Sequence, residues 1–277
     1  MMLRLAIYSL VLVIAACSRG ELTADHGGER PVRIVSLDYC ADQYVLKLAD
    51  REQILAVSPD AGGAFSYMRA AADGLPSVRP VAEDILILKP DLVVRAYGGG
   101  PEAAAFFERA GIPVLEVGWT SKVAGEGPGS VAGTIRHVAD GLGQPARGDA
   151  LIHEYRHRLA GIAAADDRET ALYTTPGGVT SGPGSLIHEM LDAAGLENFE
   201  TAPGWRPIPL ERLAYEAPGR FVFADFEGGA GPWSAARHPV LTRRLQTTPV
   251  TRIQGAATAC GGWFILDVIE ALAEPAR

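Results

Sequence analysis

The sequence has no excess of basic residues. It carries 25 lysines and arginines against 33 aspartates and glutamates, a formal net charge of −8 over 277 residues. A surface of this sign does not attract nucleic-acid phosphates, so the composition excludes a nucleic-acid-binding function. Cysteine is also scarce, with three residues, and there are only six histidines. The remaining composition, 48% hydrophobic and 21% charged, is that of an ordinary globular protein.

A long apolar run is also missing. The apolar residues 5–13 are too few to cross a bilayer comfortably as a permanent helix. Arg4 precedes them and Ile-Ala-Ala-Cys follows at 14–17, which predicts a secretory signal peptide over residues 1–17. The ending is similar to a bacterial lipobox, so we expect Cys17 to be lipidated and to anchor the protein to a bacterial membrane, in the periplasm or at the cell surface. A cleaved signal with an incidental cysteine is the alternative.

The rest of the chain divides into a tether and two lobes. Residues 18–30 are polar and have too little apolar content to pack, which predicts a flexible tether. Short β-branched runs alternate with helical periods over 31–128 and again over 167–277, the pattern of α/β lobes. Between them, residues 129–166 are helical with one break at 141–145. We therefore predict an α/β protein of two Rossmann-like lobes joined by a long helix, with a ligand cleft between the lobes.

Aromatic residues are few, 7% of the chain, so their positions are informative. Five of them fall in or near loops that follow predicted strands: Tyr39, Tyr97, Trp119, Phe226 and Trp233. Open α/β sheets bind ligands in such loops, beyond the carboxyl ends of the strands. The set therefore indicates a large, flat or hydrophobic ligand, whereas any single member could simply cover the edge of a lobe.

Three passages resemble a known family. They are residues 33–37 (RIVSL) followed by Ala41 and Asp42, residues 83–94 (EDILILKPDLVV), and residues 180–198. They are similar to the substrate-binding lipoproteins of ABC importers for iron chelates, haem and cobalamin. The resemblance implies a monomeric, non-catalytic protein that captures its ligand in the cleft and delivers it to a permease dimer in the inner membrane.

The resemblance also implies two docking residues. In this family a surface glutamate on each lobe meets arginines of the permease, and Glu83 and Glu211 match those two positions. Two fixed carboxylates would supply charge complementarity and register more than raw affinity. Without the family, each residue is only an acid at a helix start, where the helix dipole favours it.

The candidate cleft residues combine aromatic faces with a few polar groups. Aromatic faces would bury a macrocycle or a catecholate, and Arg69 would pair with acidic groups of the ligand. A solvated surface charge is the simpler alternative for that arginine. The expected ligand is a ferric siderophore, placed slightly ahead of haem and cobalamin. The candidate ligand-binding residues are Tyr39, Tyr67, Arg69, Tyr97, Trp119, Thr180, Ser181, Trp233 and Trp263.

Cys40 and Cys260 depart from the family pattern, and both belong to loops expected beside the cleft. Outside the cytoplasm two cysteines favour a disulfide, which would lock the lobes together. The alternative is a pair of free thiols that could ligate a metal centre in the cargo.

One motif indicates a different class of protein. Residues 153–157 (HEYRH) fit H-E-x-x-H, in which a helix places two histidines on one face for zinc and the glutamate acts as base. The motif lies in the segment predicted to join the lobes, and the nearest suggestion of a third ligand, His188 with Glu189, begins a different helix. An exported zinc-dependent hydrolase is therefore the alternative to a binding protein, for which we predict neither enzymatic activity nor a metal site.

Overall fold

The computed structural model describes residues 30–162, 168–226, 231 and 234–275. The first lobe contains a sheet of four short strands: β1 (Ile34–Ser36), β2 (Ile54–Ala56), β3 (Leu92–Arg95) and β4 (Val114–Glu116). All pairings are parallel, in the order β2-β1-β3-β4. The two central strands, β1 and β3, are buried along their whole length because helices cover both faces of the sheet.

Three helices accompany this sheet: α1 (Tyr39–Leu48), α2 (Ala82–Leu88) and α3 (Ala103–Arg109). Helix α1 begins directly after β1 because the Asp38 carboxylate accepts a hydrogen bond from the Ala41 backbone N–H at 3.0 Å, which caps the helix. Lys89 ends α2 with φ of 48°, in the left-handed region. The loops at the carboxyl ends of β1 and β3 therefore start close together, above the centre of the sheet.

Two antiparallel helices follow, α4 (Val131–Gly141) and α5 (Pro145–Ala160). Ser130 caps α4 and Pro145 occupies the first turn of α5, where its missing N–H costs nothing. The 16 residues of α5 span about 24 Å. Gly148 lets the helices approach closely, since a Cβ at this position would overlap the Cβ of Ala139. Both helices lie within the segment predicted to join the lobes.

The described residues of the second lobe form six strands. They are β5 (Thr170–Thr174), β6 (Val179–Ser181), β7 (Glu197–Asn198), β8 (Trp205–Pro207), β9 (Arg220–Asp225) and β10 (Val250–Gln254). Four form a parallel sheet in the order β10-β9-β5-β7, and β6 pairs with β8 in a separate antiparallel ribbon. The ribbon extends this lobe beyond the carboxyl end of β5, on the side where a ligand is expected.

The helices of the second lobe are α6 (Leu186–Ala193), α7 (Leu210–Tyr215), α8 (Pro239–Thr247), α9 (Ala256–Ala259) and α10 (Ile265–Ala273). The sequence pattern predicts one closing helix from residue 262, whereas the structure begins α10 at Ile265 and places the short α9 before Cys260. Residues 260–264 connect these two helices. This connection lies at the junction of the lobes, where Cys260, Trp263 and Phe264 are buried.

The main hydrophobic core runs through both lobes and the joining helices. It includes Tyr44 of α1, Ile135 of α4, Tyr155 of α5, Tyr173 of β5 and Phe264. The lobes are therefore packed against each other along their base and are not connected by a hinge alone. Among the described residues no helix is both long and apolar enough to cross a membrane.

Candidate functional site

A cavity of about 470 Å³ lies between the two lobes. Its ten lining residues are Tyr39, Phe65, Tyr173, Thr175, Pro176, Gly177, Trp205, Phe226, Thr258 and Ala259. Five of the ten are aromatic and none is charged. An uncharged aromatic lining suits a ligand that binds through stacking and burial of apolar area.

Two predicted aromatic residues of the first lobe follow β1 and β3. Tyr39 lines the cavity, whereas Tyr97 contacts Tyr39 and does not line it. Tyr39 is the first residue of α1, and its ring meets that of Tyr97 edge-on, with the ring centres 5.8 Å apart. Burial is the main reason that the pKa of Tyr97 rises above its ordinary value, and the neighbouring Tyr39 raises it further. At neutral pH Tyr97 is therefore protonated and presents an O–H donor.

Phe65 and Phe226 make the aromatic contact across the cleft. Their ring centres lie 4.9 Å apart, and Phe65 also contacts Tyr39 at 5.9 Å. Phe65 belongs to the first lobe, whereas Phe226 directly follows β9 of the second. Three rings from three separate segments thus form one continuous surface inside the cavity.

The second lobe forms the opposite side of the cavity. The Tyr173 hydroxyl lies 2.9 Å from the Thr258 hydroxyl, which fixes the ring at the end of β5. Burial raises the pKa of Tyr173 to about 12, so this group is also a phenol at neutral pH. Trp205 of β8 meets Tyr173 edge-on at 6.2 Å and is 53% exposed, which leaves much of its face open to a ligand.

Asp38 organises the loop that carries Tyr97. Besides capping α1, its carboxylate accepts hydrogen bonds from the backbone N–H groups of Ala96, Tyr97 and Gly98 at 2.8, 3.0 and 2.8 Å. Gly98 has no room for a side chain, since a Cβ there would overlap the Leu37 carbonyl. One buried carboxylate therefore joins the two loops that bring Tyr39 and Tyr97 together.

Cys40 and Cys260 form a disulfide, with their Cα atoms 5.6 Å apart. Of the two alternatives that the sequence left open, the structure contains the bonded pair. The bond joins the start of α1, next to Tyr39, to the residue after α9, which carries Thr258 and Ala259. It thus connects the two sides of the cavity covalently at its base.

Two of the sequence-selected aromatic residues pack at the junction of the lobes. Trp263 is 7% exposed and meets Tyr44 edge-on at 5.5 Å, so it belongs to the core. Tyr67 stacks on Phe264 at 4.7 Å, and its hydroxyl bonds the Asp267 carboxylate. Both hold the lobes together and neither lines the cavity.

The other selected residues lie in different places. Arg69 begins a short 3-10 turn over Arg69–Ala72 and does not line the cavity. Thr180 and Ser181 are buried in β6, and their side-chain hydroxyls have no partner among the described residues.

Trp119 is 80% exposed beside a second cavity of about 590 Å³ between β4 and α4. The positions of Trp233 and Cys17 fall outside the described residues.

The sequence interpretation missed most of the lining. Phe65, Tyr173, Thr175, Trp205 and Thr258 were not selected, although Phe226 was noted because it follows a strand. Phe65 stands in an irregular loop, and Tyr173 reads as an ordinary strand residue. Only a position at the carboxyl end of a strand could have drawn attention to Tyr173 and Thr175.

His153 and His157 lie one turn apart on α5, and both are exposed, as is Glu154. In the described part of the chain no group of three or more histidine, cysteine, aspartate or glutamate side chains is arranged to hold a metal ion. The tight tetrahedral set that a zinc hydrolase needs is thus not assembled around this motif by described residues.

Glu83 and Glu211 occupy the first turns of α2 and α7, one on each lobe. Both are exposed, and within the described residues neither forms an ion pair or a side-chain hydrogen bond. Each is followed one turn later by a large exposed apolar residue, Ile87 at 77% and Tyr215 at 90%. The two helices therefore present similar pairs of side chains to solvent.

The structure has two α/β lobes with parallel sheets, which pack on a shared base and enclose a cavity lined from both sides. This arrangement defines a protein that binds a small molecule between its lobes. The family model described as "Periplasmic binding protein" matches residues 34–229, and the chain belongs to this family. The family resemblance and the two-lobed fold predicted from the sequence are confirmed. Membership places the protein in the periplasm or at the cell surface.

Curated relatives match part of the chain. A protein named "Cobalamin-binding protein" from Halobacterium salinarum, strain R1, is 30% identical over 180 residues, which is 61% of this chain and 46% of the relative. Its counterpart from strain NRC-1 matches equally. The chain thus spans about half the length of the curated relatives it matches.

Solved structures share the fold over most of the chain. A periplasmic heme-binding protein from Pseudomonas aeruginosa is 23% identical, with a TM-score of 0.65 over 88% of this chain and 91% of its own. HutB of Vibrio cholerae, also a periplasmic heme-binding protein, is 17% identical with a TM-score of 0.70 over 87% and 97%. The periplasmic vitamin B12-binding protein BtuF of the same organism is 19% identical, with a TM-score of 0.67 over 88% and 96%.

Proposed function

We propose that this protein is the substrate-binding component of an ABC importer, which captures a bulky metal chelate and delivers it to a membrane permease without chemical turnover. The observation that carries the proposal is the cavity between the lobes, in which five aromatic side chains surround an uncharged space. Flat, mostly apolar ligands gain affinity from such surfaces through stacking and area burial.

The lining also ranks the candidate ligands. A ferric siderophore with catecholate groups, or haem with its carboxylates, gains from cationic partners, and none stands among the ten lining residues. A corrinoid offers a large ring with neutral amide substituents, which the hydroxyls of Tyr39, Tyr173 and Thr175 can bond. We therefore place cobalamin first, ahead of haem and of the ferric siderophore that the sequence favoured. The curated relatives named as cobalamin-binding proteins support this order.

Binding is tested with purified protein lacking residues 1–17. We expect one compound among cyanocobalamin, haemin and a panel of ferric siderophores to quench tryptophan fluorescence saturably. Trp205→Ala should weaken that binding roughly tenfold because an exposed ring on the cavity surface is lost. Trp119→Ala is the matched control, since Trp119 lies at the second cavity. Equal loss from both substitutions, or no binding by any compound, would contradict the proposal.

The zinc hydrolase is the second candidate function, and the exposed His153 and His157 are its only support. Zinc analysis of the purified protein separates the two functions. We expect no zinc to co-purify in stoichiometric amount, and His153→Ala combined with His157→Ala should leave chelate binding unchanged. Zinc that is retained by the original chain and lost from this variant would favour the enzyme.

We also propose that α2 and α7 dock on the permease. The carboxylates of Glu83 and Glu211 supply charge for arginines of the partner, and Ile87 and Tyr215 supply apolar area beside them. One similar pair on each lobe suits a partner made of two equivalent subunits.

Docking is tested by uptake of labelled cyanocobalamin in the native host. The double variant Glu83→Gln, Glu211→Gln should bind cyanocobalamin in solution like the original protein, yet reduce uptake by at least tenfold. Glu102→Gln with Glu197→Gln, two exposed glutamates of the same lobes, is the control. Normal uptake with the double variant Glu83→Gln, Glu211→Gln would show that these two residues do not belong to the interface with the permease.

The lipid anchor at Cys17 belongs to the same proposal. A tethered receptor stays near its permease, which raises its effective concentration there. The intact mass of protein extracted from membranes should correspond to a chain that starts at Cys17 and carries acyl groups. A soluble mature protein with an unmodified cysteine would exclude the anchor.

A further inference from the structure

Phe65 is placed by a loop that has little regular structure of its own. The loop, residues 58–68, connects β2 to the 3-10 turn at Arg69, and its internal backbone bonds form local turns, such as Ala61 N–H to Ser58 C=O at 3.2 Å and Ser66 N–H to Gly63 C=O at 3.1 Å. Local turns do not determine where a loop lies relative to a sheet. The position of Phe65 against Tyr39 and Phe226 must therefore come from contacts outside the loop.

Asp42 bonds the first residue of this loop. The side chain is fully buried in α1 and accepts hydrogen bonds from the Ser58 backbone N–H at 3.1 Å and the Ser58 hydroxyl at 2.5 Å. The Ser58 hydroxyl oxygen also accepts a hydrogen bond from the Asp60 N–H at 3.2 Å, so Asp60 is held in place through Ser58. The start of the loop is thus fixed to the helix that carries Tyr39.

Gln43 bonds the other end of the loop. It is 1% exposed, its amide oxygen accepts a bond from the Met68 N–H at 2.7 Å, and its amide nitrogen donates to the Ser66 hydroxyl at 3.0 Å. The same nitrogen donates to the Tyr39 carbonyl at 2.6 Å. The partners of this buried amide are therefore Ser66 and Met68, which closely follow Phe65, and Tyr39 itself.

We propose that Asp42 and Gln43 are positioning residues of the ligand cavity, which hold the 58–68 loop so that Phe65 stays in the aromatic surface. Neither side chain lines the cavity, so both act through the loop and not on the ligand. A buried amide or carboxylate is costly unless it is fully bonded, and here those bonds go to cavity-forming segments. The effect on binding rests on the proposed function, whereas the effect on the loop does not.

The first test uses the ligand-free protein. Gln43→Leu keeps the side-chain volume and removes all three hydrogen bonds, so amide hydrogen exchange should accelerate at least tenfold at Ser66 and Met68. Gln53→Leu is the matched control, because Gln53 is also buried but bonds the Pro31 carbonyl and the Asp50 N–H, away from the cavity. Unchanged exchange in the loop of Gln43→Leu would overturn the proposal.

The second test is a double-mutant cycle with whichever compound of the panel, cyanocobalamin, haemin or a ferric siderophore, quenches the tryptophan fluorescence of the original protein. Gln43→Leu and Phe65→Ala should each weaken binding roughly three- to tenfold, and the double variant should be no weaker than Phe65→Ala. Gln53→Leu should lower stability without changing affinity. Losses that multiply in the double variant would overturn the proposal. If no compound of that panel binds the original protein, the proposed function fails and the exchange experiment alone decides the positioning role.

Discussion

At the scale of single residues, the most unusual group is the buried carboxyl of Asp42. Burial raises its pKa from 3.8 to about 6, and the hydrogen bonds from Ser58 offset only part of that rise. The nearby Asp38 carboxylate raises it further. At neutral pH the folded protein therefore contains a charge that its interior disfavours, which lowers stability.

Asp42→Asn should raise the free energy of unfolding at pH 7. The native pKa lies above the unfolded value, so the stabilising contribution of Asp42 is complete below about pH 4 and is lost as pH rises through 6. The gain of the variant over the original chain should thus grow from near zero at pH 4 to about 2–3 kcal/mol at pH 7. Urea unfolding of both proteins across this range measures it. A difference independent of pH would mean that the carboxyl group does not titrate there.

At the scale of elements, the joining helices depend on one close approach. Gly148 of α5 packs against Ala139 of α4 without space for a methyl group. Gly148→Ala should therefore lower stability by roughly 1–3 kcal/mol, although alanine favours helix formation. Gly127→Ala, at a position with nothing within 4 Å of the added Cβ, should be neutral. Thermal unfolding compares the two, and an equal effect of both would show that the helices can move apart.

The helices and strands also show how much of the fold can be predicted from the sequence. The alternation of strands and helices was readable because buried parallel strands such as β3 and β9 are continuous apolar runs. Strand β10 is not predicted by the sequence because it lies at the sheet edge and three of its five residues, Thr251, Arg252 and Gln254, are polar. The cavity was mostly missed because Phe65 and Phe226 meet only after two lobes pack, and no local pattern encodes that contact.

At the scale of the whole molecule, the disulfide connects residues 220 positions apart in sequence. Its loss should increase the conformational entropy of the unfolded chain and lower the free energy of unfolding by roughly 3–5 kcal/mol. The double variant Cys40→Ser, Cys260→Ser should therefore unfold at lower urea concentration. A reducing agent should produce the same loss in the original protein and no change in the variant. Stability unaffected by reduction would contradict the prediction.

The same bond turns most of the folded chain into a covalent ring. The joining helices, the parallel sheet of the second lobe and three strands of the first sheet lie inside that ring, between Cys40 and Cys260, whereas β1 precedes it. Every residue of the cavity except Tyr39 also lies inside the ring, and Tyr39 is bonded directly to it. A protease that cuts any single peptide bond within the ring leaves one molecule, because the two ends stay attached through sulfur. For a protein working outside the cytoplasm, a nicked copy can thus keep its cavity intact and continue to bind.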